Sequence, residues 1–389
     1  MEKSKRVASV DIYRGLVMFL MMAEVWNFQK VAEYHPDSAF WGFLSFNQSH
    51  VAWVGCSLHD MIQPSFSFLV GVAMPFSISS RLKMGHAQRE LWFHILKRSL
   101  ILILLGVFLR SMWAEQTYWT FEDTLTQIGL GYPFLFLLCQ KSFKWLWLSL
   151  AIILIGYWIA FVLYPLPSSP LFYPTVGVPL EWPHLMSGLE AYWNKNSNMA
   201  WAFDTWFLNL FPREEPFLYN SGGYATLSFI PTLGTMILGL VAGKMIKEKQ
   251  MQILNKWLKL AAILVITALI IHFLKLNPIV KRIWTPAWTL FSGGICFLIL
   301  ASIYWLIDLR GHTKGTYWLK YLGMNSIAAY VMAHTINEFI DRSFRIHIGQ
   351  NYDQILGSPY ATIVSGSVIL CIEWLLLRWM YRKGIFIKI

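Results

Sequence analysis

The sequence predicts an all-α, polytopic transmembrane helical bundle of about ten spans with both termini cytoplasmic, and three observations carry that prediction. Of the 389 residues, 56% are hydrophobic and 16% aromatic, more apolar surface than a soluble domain normally carries. Apolar windows of about twenty residues, the length that crosses a bilayer, recur ten times along the chain. The Lys and Arg residues stand in short runs between those windows. Of the 32, 23 fall on the side of the termini and the even-numbered connections and 9 on the other, which assigns both termini to the cytoplasm. The net charge of +11 therefore reads as a topology signal, not as a nucleic-acid surface, because the cations do not share one amphipathic face.

In order, the windows run over 12–29, 58–80, 92–112, 121–139, 145–164, 223–243, 257–275, 285–307, 318–340 and 359–380. Met1 to Arg6 is basic, and the run after it lacks a small-residue cleavage site, so it reads as an uncleaved first span. Glu24 interrupts the first window, and Glu122, Asp123, Thr124 and Gln127 open the fourth. Polar groups at that depth face protein or a cavity. The connection at about 165–222 is long and rich in aromatic residues: Tyr173, Trp182, Tyr192, Trp193, Trp201, Trp206 and Tyr219. It is expected outside the cytoplasm and folded. Its rings suit either stacking on sugars or anchoring at the membrane interface, and both readings stay open. With no repeat and no low-complexity tract, 1–389 reads as one integral membrane domain. Cys56, Cys139, Cys296 and Cys371 show no pairing or CxxC pattern, so neither a disulfide framework nor a metal site is expected.

The stretch His50 to Gly71 (HVAWVGCSLHDMIQPSFSFLVG) runs from a polar segment into an apolar one, with His50 and Asp60 at the boundary, Pro64 to bend the helix and Gly71 to admit a neighbour. An ionisable pair where a span begins marks a functional site or, equally from composition, an interfacial anchor and a cap. Imidazole titrates near neutral pH, so His50 can take a proton from an amine or hydroxyl, or carry an acyl group itself. Asp60 would orient the ring or, alternatively, serve as a first-turn acid in the field of the helix dipole. Asp11 and Arg14, three apart on one helix face, can pair with each other and still offer guanidinium donors to a phosphate. Lys97, Arg98 and Lys244 can add to them or act only as positive-inside anchors. On the ninth window Asn325, Ser326, His334, Asn337 and Glu338 form a polar stripe, of which His334 is read as an interhelical hydrogen-bonding residue.

Separated segments in a fixed order carry a resemblance that covers nearly the whole chain. They are Val10-Asp11-Ile12-Tyr13-Arg14-Gly15; His50, Trp53, Gly55, Asp60, Pro64 and Gly71; Ile128-Gly129; Gly239 with Ala242-Gly243-Lys244; Tyr304-Trp305-Leu306-Ile307-Asp308; and Tyr321-Leu322-Gly323-Met324-Asn325-Ser326. Together they resemble the heparan-alpha-glucosaminide N-acetyltransferase family of transmembrane acyltransferases, in its bacterial branch. The resemblance implies that His50 is the active-site histidine with Asp60 beside it. It also implies acetyl-CoA or another acyl-CoA as donor, a donor passage that includes Asn325 and Ser326, a glycan or amino-sugar acceptor outside, a homodimer among membrane lipids and placement in a bacterial inner membrane. Two departures touch the acceptor side. Leu125-Thr126-Gln127-Ile128 stands where relatives read Leu-Gln-Arg-Ile, and Trp53-Val54-Gly55 where a relative reads Trp-Asn-Gly. Heparan sulfate is therefore not carried over. The rival class is a glycan or lipid transporter or flippase, with His50, Asp60 and His334 as an intramembrane relay; a third is a catalytically silent partner of a glycan-processing complex.

Overall fold

A computed structural model describes residues 7–387; the basic Met1–Arg6 segment lies outside the described residues. The helices are α1 Ala8–Met22, α2 Phe28–Tyr34, α3 Ala39–Gln48, α4 Ile62–Lys83, α5 Gln88–Ser111, α6 Thr124–Cys139, α7 Phe143–Val162 and α8 Phe172–Thr175. They continue as α9 Met199–Phe207, α10 Phe229–Lys247, α11 Ile253–Phe273, α12 Pro286–Tyr304, α13 Tyr317–Met324, α14 Ser326–Thr335, α15 Asn337–His347 and α16 Ala361–Arg382. Among the described residues there is no strand, only a single bridge between Val54 and Val280.

Seven helices are long and apolar enough to cross a membrane, and they coincide with seven of the ten windows. The other three windows hold shorter pieces. The first is α1 followed by a 3₁₀ turn, Ala23–Trp26, and the fourth is the 16-residue α6. The ninth is broken at Asn325, whose φ of −123° and ψ of 40° are not helical, and again at Ile336, so the expected polar stripe is divided between α14 and α15, with Asn325 at the first break. Pro64, expected to bend its helix, falls instead in the first turn of α4, where proline is tolerated; Pro75 is the interior one.

The chain divides into two compact units. One takes the chain up to Val51, Cys56–Ile62 and the part from Ile299 on; the other takes Ala52–Gly55 and Gln63–Leu298. In the first unit α1 crosses α13 backbone to backbone. A Cβ on Gly15 would lie 1.9 Å from the Leu319 carbonyl oxygen, and one on Gly323 would lie 2.0 Å from that of Asp11. Only glycine permits this approach, which is how helices gain contact where lipid supplies no hydrophobic drive. The Asp308 carboxylate, in a π-helical turn at Trp305–Leu309, accepts the Ser9 amide at 3.1 Å and so satisfies a donor at the start of α1.

In the second unit α4 and α10 cross in the same manner, with Gly71 against the Met236 carbonyl and Gly239 against that of Phe68. The long connection is folded. Trp53 and Trp193 are fully buried with Tyr157, Phe161, Ala225 and Val280, and the Trp53 indole donates to the Trp193 carbonyl at 3.0 Å. Burying a tryptophan of 150–250 Å² is worth about 5 kcal/mol before entropy is counted. Gly55 has a φ of 120° and donates its amide to the Ile279 carbonyl at 3.0 Å, a conformation closed to side-chain-bearing residues. Of the connection's aromatic residues, Trp206 and Tyr219 remain exposed.

Candidate active site

The segment between α3 and α4 holds His50 in place through side-chain anchors at its root. Gln48, the last residue of α3, donates to the Ala23 carbonyl at 2.7 Å and accepts the Phe28 amide at 2.7 Å. Ser57 donates its hydroxyl to the Ser49 carbonyl at 2.6 Å. The loop therefore closes on itself at Ser49 and Ser57, with His50 inside the closure.

Asp60 lies beneath it, 1% exposed, in the 3₁₀ turn His59–Met61 that leads into α4. Its Oδ1 is 2.8 Å from His50 Nδ1. Its Oδ2 accepts the Val51 amide at 3.2 Å, the Ser57 amide at 3.1 Å and the Ser57 hydroxyl at 3.0 Å. A buried carboxylate is tolerated when donors surround it, and here three of the four are fixed by the loop. An ionised carboxylate can only accept, so with Asp60 as the carboxylate the 2.8 Å contact takes the imidazole proton on Nδ1. Nε2 then keeps its lone pair, as a base or nucleophile needs. The His50 side chain is 35% exposed.

A second histidine, which sequence reasoning passed over, completes the row. The His59 ring centroid is 4.6 Å from that of His50 with the planes tilted by 53°, and His59 Nε2 is 3.8 Å from Glu24 Oε2. His59 is buried, whereas the Glu24 side chain is 66% exposed. The adjacency of His59 to Asp60 was visible in the sequence. Its contact with His50, nine residues away, depends on the loop closure and was not.

The residues expected at the donor side gather at the other end of α1. Arg14 Nη1 is 3.5 Å from Asp11 Oδ1, with the Asp11 backbone against Gly323. Asn325, two residues beyond, is fully buried, and its carboxamide donates to the Ile385 carbonyl at 3.0 Å and accepts the Ile387 amide at 3.2 Å. It fastens the segment after α16, and Ser326 opens α14 beside it. Asp11 and Glu24 are thirteen residues apart, about 20 Å along the helix axis. His334 is exposed and pairs its Nδ1 with the Tyr330 carbonyl of its own helix at 2.8 Å, not with another helix. In the second unit Arg98 donates to the Tyr132 hydroxyl at 3.1 Å, and Lys244 donates to the Lys141 carbonyl. Gln127, where relatives carry arginine, is fully buried and donates to the Phe121 and Thr226 carbonyls at 2.7 and 3.1 Å.

No family model matches the chain. Among curated proteins, heparan-alpha-glucosaminide N-acetyltransferase of Homo sapiens is 23% identical over 99% of this chain, and that of Mus musculus is 22% identical over 99%. The chain spans about 60% of the length of these relatives. With almost every residue of the chain inside both matches, and in the presence of seven membrane-length helices, the protein is related at the level of family to the heparan-alpha-glucosaminide N-acetyltransferases.

Proposed function

We propose that the protein is an integral membrane acyltransferase that moves an acetyl or similar acyl group from cytoplasmic acyl-CoA to an extracytoplasmic glycan or amino sugar. Residues 1–389 act as one membrane domain of ten spans with both termini cytoplasmic and an extracytoplasmic segment at about 165–222, in a bacterial inner membrane. His50 acts at the outer face as base or acyl carrier, and Asp60 fixes its tautomer. Asp11, Arg14, Asn325 and Ser326 serve the donor near the inner face. The observation that carries the reading is the 2.8 Å contact from His50 Nδ1 to a buried carboxylate already saturated by loop donors. A mere interfacial anchor needs no such support.

The test uses the purified protein in liposomes with labelled acetyl-CoA and glucosamine. His50→Ala keeps binding acetyl-CoA and loses transfer by at least about 10²-fold. Transfer at the wild-type rate in that variant ends the proposal. Transport of a glycan or lipid is the second reading, favoured by the helix break at Asn325 and by the fully buried Glu373 in α16. It requires substrate movement across the liposome with no acyl donor present.

A further inference from the structure

We infer that His59, backed by Glu24, is the base that deprotonates the acceptor while His50 carries the acyl group. The inference rests on the acyltransferase reading and assigns the two histidines different tasks.

His50 has two ring nitrogens, and Nδ1 is committed to Asp60. If Nε2 receives the acyl group, its lone pair is spent in the new bond, and the ring has no nitrogen left to accept a proton. An amino-sugar acceptor arrives largely as an ammonium ion or through a hydroxyl, and neither attacks an acyl imidazole until a proton leaves. Another base must stand within reach of whatever His50 carries. His59 is the imidazole 4.6 Å away, and its Nε2 faces the Glu24 carboxylate at 3.8 Å. The four groups form a row, Asp60, His50, His59, Glu24, in which each imidazole has its own carboxylate. The two carboxylates differ in a way that suits different tasks. Asp60 is sealed and keeps Nδ1 protonated throughout. Glu24 is open to solvent and can pass a proton away.

The step balances. An ammonium acceptor first loses one proton through His59 and Glu24 to water; the neutral amine N–H or the hydroxyl O–H then gives its proton to His59 as its electron pair forms the bond to the acyl carbon. The bond from that carbon to His50 Nε2 breaks, and its electrons return to Nε2 as the lone pair. The proton on His59 leaves by way of Glu24 to water, while the Nδ1 proton of His50 stays on the ring.

His59→Asn tests this in liposomes with labelled acetyl-CoA. Loading of His50 is read in the absence of acceptor, and transfer is then read to glucosamine and to hydroxylamine, a nucleophile that is mostly unprotonated at neutral pH. The expected variant loads His50 as the wild type does. It passes the label to glucosamine at least about 10²-fold more slowly and to hydroxylamine at the wild-type rate. Glu24→Gln, at an exposed position that leaves the fold alone, gives a smaller loss confined to glucosamine, and it decides the matter if His59→Asn does not fold. Transfer to glucosamine at the wild-type rate overturns the inference. An equal loss with both nucleophiles also overturns it, since His59 would then only support the His50 ring. Wild-type protein that transfers without ever holding label on His50 overturns it too, and leaves the acyltransferase reading standing with His50 as the base. Wild-type protein that neither loads nor transfers removes that reading and this one with it.

Discussion

Asp60→Asn changes one atom and should disable His50 without dismantling the loop. Three of the four donors to Asp60, from Val51 and Ser57, meet Oδ2 at 3.0–3.2 Å. In the variant the amide oxygen will stay with those donors, because turning the NH2 toward them would set donor against donor at both the Val51 and the Ser57 amides. The NH2 then faces His50 Nδ1 where Oδ1 had been. That nitrogen must become an acceptor, and the ring proton moves to Nε2. Losing a charged hydrogen bond costs about 1.5–3 kcal/mol of stability. Displacing the lone pair from the reacting nitrogen costs more in rate; the equivalent substitution in the serine-protease triad lowers turnover about 10⁴-fold with geometry intact. Acyl transfer should therefore fall between about 10² and 10⁴-fold, with acetyl-CoA affinity unchanged because the residues proposed to serve the donor lie at the far end of α1. Nitrogen NMR of labelled histidine in detergent reads the tautomer directly. A variant that transfers normally, or one that loses activity while Nδ1 remains protonated, would refute this account of Asp60.

Two further outcomes follow from features away from the histidines. Cysteine at the exposed Ser187 in the long connection should react with an impermeant thiol reagent from outside, in a background lacking Cys56 and Cys371, whereas cysteine at the exposed Glu248 should not; the reverse pattern inverts the topology. Burial raises the Asp204 carboxyl to about 7, with nearby Glu122 adding to it against the Thr226 hydrogen bonds, so the folded state prefers the protonated acid. The stability from this group is full below about pH 4 and fades as pH rises through 7, by up to about 4 kcal/mol, and Asp204→Asn should flatten that part of the melting-temperature profile.

Much of the fold was legible because bilayer thickness imposes a length that composition alone reveals, and seven of the ten windows are helices long and apolar enough to cross a membrane. The three windows that became short or broken are those where polar residues had something other than lipid to face. Glu24 ends the first beside His59, Asp123 caps α6 at 2.8 Å from the Leu125 amide, and Asn325 leaves the helix to hold Ile385 and Ile387. Windowed hydropathy sees the apolar average and not the partner that pulls a residue out of register. The motif glycines were legible as positions but not as crossings, since nothing in the chain tells that Gly15 faces Leu319 and Gly323 faces Asp11. The aromatic connection shows the same limit. Its rings were counted as candidate sugar platforms, yet Trp193 is enclosed with Trp53, which leaves Trp206 and Tyr219 as the exposed ones.

Helix α1 sets the scale on which any transfer must work. Its first two turns carry Asp11 and Arg14, and the 3₁₀ turn after it carries Glu24, with His59 and His50 beyond. The rise between those ends is about 20 Å, much of the hydrocarbon thickness of a bilayer. A phosphate held by Arg14 cannot also reach His50, so donor phosphates and reacting carbon must be far apart at once. Coenzyme A has that form, with its anionic phosphates at one end and the thioester at the end of a long flexible arm. The contacts at Gly15 and Gly323 hold α1 against α13 backbone to backbone. On this geometry the protein need not carry a bulky anion across the membrane. Under the proposed function the arm would enter along α1, with the acyl group received at His50 and the charge kept at the end of α1 that carries Arg14.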